Sequence, residues 1–464
     1  MPQWDVETEV LVVGAGACGF AAATAAADAG VEAVIVEKAD RLGQCNTALT
    51  AGSVAGAGTR FQRAEGIEDS PDLMYEDVMR QSGPHEAMEL TRLLANESAS
   101  LVEWLVDDLD IELRLITYYK HVGHSVPRLH GPPSHSGQDL LDGLTAAARR
   151  RGIAIALASP VTELVTEGPS VIGAVVAGGR ARQNRIHAKK VILATNGFGA
   201  NPELVRTYCA DIAGAPYFGA QGNTGEAVIW GNKLGARLAN MAAYQGYATL
   251  VYPQGSLLSW TLMEIGGILV TAEGRRFGDE SAGYSGFAKD VRAQGQYAYA
   301  VFDKKILDYV AHHEEDSREL LTSASLKRGS SLADVARQSG IDPARLAATV
   351  DAYTDAARGQ RQDAFGRRNF GMAPLEPPFF LVKVQAGLFH TQGGLWVDEQ
   401  ARPRLVDGGI IRNLFAGGGA AAGIAGSRGG AGYSSGTGML CALGLGRIAG
   451  RAAAREIAAD RGQA

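Results

Sequence analysis

The sequence predicts an α/β protein: a parallel-sheet, nucleotide-binding domain interrupted by a second domain of α+β type. Three observations carry that prediction. The apolar run Val10 to Val13 leads straight into Gly14-Ala15-Gly16-Ala17-Cys18-Gly19 and a small-residue segment, Phe20 to Ala29. A second apolar run, Val34-Ile35-Val36, is closed by an acid, Glu37. Between about residues 250 and 365 glycine thins and charged, helix-forming segments take over.

The first observation is a strand, a tight turn and a helix. Gly14 permits the turn, Gly16 lets the backbone approach a pyrophosphate, and Gly19 lets helix and strand pack closely. The phosphates then sit at the helix N-terminus, where unpaired N–H groups and the helix dipole favour negative charge. Glu37 follows about 20 residues on, where a carboxylate meets ribose hydroxyls. Together these predict a Rossmann-type start that binds a dinucleotide. No second GxGxxG is present for a nicotinamide nucleotide.

The remaining elements follow in order. Helices are expected over Asp72 to Gln81 and Glu86 to Asp107, then an irregular His- and Pro-rich segment from His121 to Ser136. An amphipathic helix, Gly137 to Gly152, feeds strands at Ile153 to Leu157, Val161 to Thr166 and Val171 to Ala177. Lys190 to Ala194 reads as a buried strand, and Gly225-Glu226 opens a helix reaching about Leu234. Helices are expected over Lys304 to His312, Ser331 to Ser339 and Pro343 to Arg358, the second N-capped by Ser331 with Asp334 three residues on. Strands Phe379 to Lys383 and Gly394 to Val397 precede a long helix from about Ser435 to Ala459. The expected domains are 1–249 and 366–464 for the nucleotide-binding part and 250–365 for the insertion.

Composition sets the outer bounds. With 464 residues, 46% hydrophobic and 20% charged, the chain can fill two or three cores and reads as soluble. A net charge of −6 leaves no basic footprint for nucleic acid. No secretory signal and no membrane-spanning stretch is visible, so a cytoplasmic protein is expected. Cys18, Cys45, Cys209 and Cys441 are dispersed without a C-x-x-C, which argues against disulfide exchange and zinc knuckles. His121, His124, His130 and His135 match no zinc spacing, and no metal is expected.

Three further motifs carry a resemblance. Ala194-Thr195-Asn196-Gly197-Phe198-Gly199 resembles the ATGGFG turn of flavoproteins, and Asn223-Thr224-Gly225-Glu226-Ala227 resembles their NTGDG element. Leu414 to Gly419, Tyr433-Ser434-Ser435-Gly436 and Gly446 to Gly450 resemble their C-terminal flavin segment. In this order the motifs are similar to those of the fumarate reductase/succinate dehydrogenase flavoprotein superfamily, including its 3-ketosteroid dehydrogenase branch. The resemblance implies a Rossmann-type FAD-binding domain interrupted by a capping domain, with substrate between cap and isoalloxazine. It implies FAD contacts from Gly14, Gly16, Gly19, Glu37, Lys38, Asn46, Thr47, Gly52, Thr195, Gly197, Glu226, Gly418, Gly419 and Ser435. Asn46 stands where membrane-bound members carry a flavin-linking histidine, so the resemblance implies noncovalent FAD. Electrons then leave to a quinone, a carrier protein or oxygen.

The catalytic set departs from that of fumarate reducers. Phe389-His390-Thr391-Gln392-Gly393-Gly394 resembles their HTxGG histidine motif, and Arg428 stands near their carboxylate-clamping arginine. Gly274-Arg275-Arg276-Phe277-Gly278-Asp279-Glu280 fits GxRFxNE and fixes the register. Four positions later, in place of the proton-donating arginine, stands Tyr284. Trp260 and Met263 occupy the relay region, and no histidine lies near Tyr247. Tyr284 and Tyr433 instead resemble the ketosteroid branch. There one tyrosine takes a proton from carbon, while a second tyrosine and a backbone N–H, here Gly436, polarise the ketone. Flavin N5 takes hydride from the adjacent carbon. A phenol with an ordinary pKa near 10 is a poor base, so it needs that polarisation to acidify the α C–H. Tyr118 and Tyr119 are candidate third members. The sequence thus supports desaturation α,β to a cyclic or steroid-like ketone, with reduction of an α,β-unsaturated carboxylate or a purely electron-transferring flavoprotein as alternatives.

Overall fold

The computed structural model describes residues 4–178, 183–314 and 323–462. It divides into two compact units, one of Met1–Ala210, Gly219–Tyr244 and His390–Ala464, the other of Asp211–Phe218 and Gln245–Phe389. The second takes in more chain than the 250–365 read from composition. Strands Tyr244–Val251 and Phe379–Thr391 are neighbours in its sheet, so hydrogen bonding rather than glycine content sets its edges.

The first unit is built on a seven-stranded sheet. Val6–Val13 lies between Ala33–Val36 and Gln183–Leu193, parallel to both. Ala154–Ala156 extends one side in parallel, while Ser170–Ala177 and Val161–Glu167 form an antiparallel flank. Leu414–Ala416 returns from the far end of the chain to pair in parallel with Val191–Leu193. The central strands are buried on both faces, which explains their continuous apolar runs. Helix Ala17–Asp28 packs against the C-terminal helix, Thr437–Gly462. That contact needs small residues: a Cβ at Gly446 would lie 2.4 Å from the Cys18 carbonyl oxygen, and one at Gly450 2.1 Å from that of Ala22. The Gly446-to-Gly450 stretch, expected within the flavin segment, is therefore a helix–helix seam. Cys18 lies within this seam, and burial pushes its thiol up to about 12.

The second unit carries a five-stranded sheet with neighbours Tyr244–Val251, Phe379–Thr391, Ala298–Asp303 and Ile268–Val270, and Lys327–Gly329 also pairing Phe379–Thr391. Its longer helices are Lys304–His313, Leu332–Ser339 and Pro343–Ala357. The capping box of Ser331 and Asp334 is present, and Asp303 caps the preceding helix through the Ile306 N–H at 3.1 Å. Among the described residues no helix is long and apolar enough to cross a membrane.

Candidate active site

The glycine turn is held open from several sides. Gly14 adopts φ +114, and a Cβ there would meet the Ala194 carbonyl oxygen at 2.4 Å. A Cβ at Gly19 would lie 1.8 Å from the Gly14 oxygen, so only glycine lets the helix sit this close. The helix N-cap, Gly16, brings no side chain to the end of the helix, and the Ala17 N–H donates to Thr47 Oγ1 at 3.0 Å. Glu37 braces the turn, accepting from the Ala15 N–H at 2.7 Å and the Ala39 N–H at 2.8 Å. A carboxylate has about four acceptor positions, so capacity remains for hydroxyls.

Other glycine-rich segments pack against this turn and against one another, Ala194 beside Gly14 and Gly419 beside Gly197. Asn196, at φ +61, turns the chain and accepts from the Gly197 N–H at 2.9 Å. The Phe198 N–H donates to Thr391 Oγ1 at 3.0 Å, so the residue after His390 staples this turn. Thr195 Oγ1 is buried without a partner among the described residues, as is Glu226 Oε2. The other Glu226 oxygen pairs with Lys38. Asn46 Oδ1 accepts from the Ala220 N–H at 2.7 Å and from Asn223 Nδ2 at 3.0 Å. Gly418 adopts φ +59 beside Cys18, and Gly52 adopts φ +70 against Gly137. Buried, unpartnered oxygens beside an uncapped helix start are what a polar, phosphate-bearing ligand completes.

His390 is the last residue but one of the strand Phe379–Thr391. Its ring lies edge-on to Tyr433, centroids 5.9 Å apart, and a Cβ at Gly438 would sit 3.0 Å from its Cε1. Burial drives its pKa down to about 4, so the ring is neutral at pH 7. The helix expected at Ser435 begins at Thr437, because Gly436 at φ +74 stands outside the helical region, and the Ser435 N–H donates to the Val122 carbonyl at 3.0 Å. Gly436, at φ +74, makes no N–H hydrogen bond among the described residues. Ser434 Oγ is buried and unpartnered among them. Arg428 is exposed, packs on Gly83, and has no ion-pair partner among the described residues. The Tyr119 ring lies 4.5 Å from that of His121, and burial lowers His121 to about 3.

The His-rich segment is tied down by a buried charge cluster. Arg128 is fully buried and bidentate on Asp69, at 2.8 and 2.7 Å, and it also contacts Asp77. Burial alone would raise the Asp77 carboxyl, but bonds from Ser125, Arg128 and Arg80 bring it down to about 2. His130 is held between the Arg128 carbonyl and Thr59 Oγ1. Sequence reasoning missed this cluster and the Thr391 staple, because nothing local links residues so far apart in the chain.

In the second unit Tyr284 follows Gly283, whose φ is +79, on a short helix, Gly283–Gly286. Its ring stacks on Tyr247 at 4.9 Å, Tyr247 meets Phe389 at 5.5 Å, and Phe389 stacks on Phe218 at 6.0 Å. The Trp260 N–H donates to the Tyr247 hydroxyl at 3.1 Å, and burial raises the Tyr247 phenol well above its usual range. The GRRFGDE stretch is structural. Glu280 accepts from Arg276 at 2.6 Å, from Arg367 at 3.2 Å and from the Leu269 N–H at 3.1 Å, all buried.

The FAD binding domain family matches residues 9–435 of this chain. The chain is 32% identical over 97% of its length to a probable fumarate reductase, Ifc3, of Shewanella frigidimarina, and spans 75% of that protein. It superposes on the open conformation of a flavocytochrome c3 fumarate reductase with a TM-score of 0.79 and 30% identity, covering 97% of this chain and 79% of that one. A 3-ketosteroid-Δ4-(5α)-dehydrogenase from Rhodococcus jostii RHA1 shares the fold at a TM-score of 0.79 and 24% identity, covering 98% of both chains. The unpartnered oxygens and the uncapped glycine turn fit FAD, the group named by the matched family. The chain therefore belongs to the FAD binding domain family and is an FAD-dependent oxidoreductase of the fumarate reductase/succinate dehydrogenase flavoprotein superfamily.

Proposed function

We propose that this oxidoreductase introduces a C=C bond α,β to the carbonyl of a cyclic, steroid-like ketone. Bound FAD supplies the acceptor for the hydride leaving the β carbon. Tyr284 takes the α proton, while the Tyr433 hydroxyl and the Gly436 N–H hold the carbonyl oxygen and stabilise the charge that develops there. His390 packs behind Tyr433 and sets its ring, and Tyr119 flanks the site. The two electrons then pass to a quinone, a carrier protein or oxygen.

The observation that carries this reading is the setting of Tyr284. It stands at the register of the arginine of fumarate reducers, within the aromatic run Tyr247, Phe389 and Phe218. Flat apolar rings suit an alicyclic ketone, whereas a dicarboxylate asks for cationic partners. Burial raises the Tyr247 phenol well above its usual range, which makes Tyr247 itself a poor base. The FAD is held noncovalently by Gly14, Gly16, Gly19, Glu37, Lys38, Asn46, Thr47, Gly52, Thr195, Gly197, Glu226, Gly418, Gly419 and Ser435. With Asn46 in place of a linking histidine, acid denaturation is expected to release all the yellow colour; colour retained on the chain contradicts this.

A second reading, reduction of an α,β-unsaturated carboxylate, is favoured by the exposed guanidinium of Arg428, which has no ion-pair partner among the described residues, and by the names of the relatives. Here Arg428 and His390 grip the acid and Tyr284 donates the proton. Anaerobic mixing separates the two. Bleaching of the oxidised flavin by a cyclic ketone supports the first; reoxidation of reduced flavin by an enoate, with no bleaching by ketones, supports the second.

A further inference from the structure

We infer that His124 is a positioning residue that fixes the turn carrying Tyr433, Ser435 and Gly436. Its ring is buried between two partners. Nδ1 faces Arg128 Nη1 at 3.3 Å, and Nε2 lies 2.8 Å from the Ser435 carbonyl oxygen. Arginine can only donate, so Nδ1 accepts and the proton sits on Nε2, which donates to Ser435. The arginine is itself immobile, locked by Asp69 and Asp77. Two residues before His124, the Val122 carbonyl takes the Ser435 N–H, so the segment 122–124 grips both backbone polar groups of Ser435. Gly123 makes this close approach possible: at φ +84, a Cβ there would lie 2.2 Å from Ser434 Oγ.

The consequence is geometric. With both backbone groups of Ser435 committed, the next N–H, that of Gly436, is left aimed without a partner among the described residues. A neutral histidine does this at no cost in charge, and burial keeps it neutral, with a pKa near 4. The role of Gly436 rests on the ketone reading above, whereas the grip on Ser435 does not.

The test compares His124→Leu, which removes the donor, with His124→Gln, whose amide restores a donor near the Nε2 position. Both are made in the full-length, FAD-loaded protein. His124→Asn, polar but too short to reach Ser435, replaces the leucine variant if that one does not fold. Three readouts are taken: FAD content with Tm, the midpoint potential of the bound flavin without substrate, and kcat against KM for whichever ketone or enoate turns over. We expect Leu (or Asn) to keep FAD, shift the midpoint potential and lower kcat about tenfold or more with a smaller change in KM, because small misplacements of polarising groups are costly. Gln is expected to recover most of both. Unchanged potential and kcat in the donor-less variant, or equal loss in Leu and Gln, would overturn the inference. If no ketone bleaches the flavin, the ketone reading fails, while the potential and the contrast between Leu and Gln still decide the role of His124.

Discussion

Among the described residues, each unit buries an arginine–carboxylate cluster, and the two clusters end differently. In the second unit Arg276 and Arg367 converge on Glu280, with Asp363 closing the set, and the outer bonds go to the Met263 and Gly267 carbonyls and the Leu269 N–H. Those partners are the unit's own backbone, so the cluster does no more than hold it together. In the first unit Arg128, between Asp69 and Asp77, hands its order to His124 and so to Ser435. The desolvation cost is of the same kind in both. What separates structural from positioning work is where the last hydrogen bond lands.

That contrast can be broken in two ways. Glu280→Gln leaves two buried guanidinium groups short of a charge partner. It is expected to cost about 3–5 kcal/mol, seen as a fall in Tm by calorimetry, while the protein that stays folded keeps its flavin potential. A shifted potential with an unchanged Tm would erase the distinction between the clusters.

The smaller test is acidification. Burial is the main cause that lowers His121 to about 3 and His124, His130 and His390 to about 4, and all four belong to the first unit. A histidine with a depressed folded pKa binds its proton more readily when unfolded. The stability it lends is complete above about pH 6.5 and is lost as the pH falls toward 4. Asp77, brought down to about 2, loses its contribution only between about pH 4 and 2. Asp363 of the second unit is likewise lowered by Arg276, against the opposing effect of burial. Hydrogen exchange near pH 5 is therefore expected to rise across 121–136 before it rises across 263–280. The reverse order would show that the histidines are not what acid attacks first.

What was legible in the sequence shares a length scale. The Gly14-to-Gly19 turn, the Ser331–Asp334 capping box and the buried strand ending at Leu193 are set by residues within a few positions of one another, and all three are in place. The Arg128 cluster is not local: its carboxylates lie 59 and 51 residues away, and His124 reaches 311 residues to Ser435. No periodicity encodes such a pairing. The seam at Gly446 and Gly450 is illegible for a related reason, since a small-residue helix seam and a cofactor segment both call for glycine. Tyr284 and Tyr433 are proposed from motif register, and their ring neighbours are visible only in the fold.

The central claim is that a phenol at position 284 takes the substrate's proton. The direct measurement is anaerobic stopped-flow reduction of the bound flavin by a cyclic ketone, in the wild-type chain and in Tyr284→Phe. The variant keeps the ring that stacks on Tyr247 and loses only the hydroxyl. The account predicts a flavin spectrum unchanged at rest and a reduction rate lower by about 100-fold or more, the scale of lost general-base catalysis. Bleaching at the wild-type rate would contradict it.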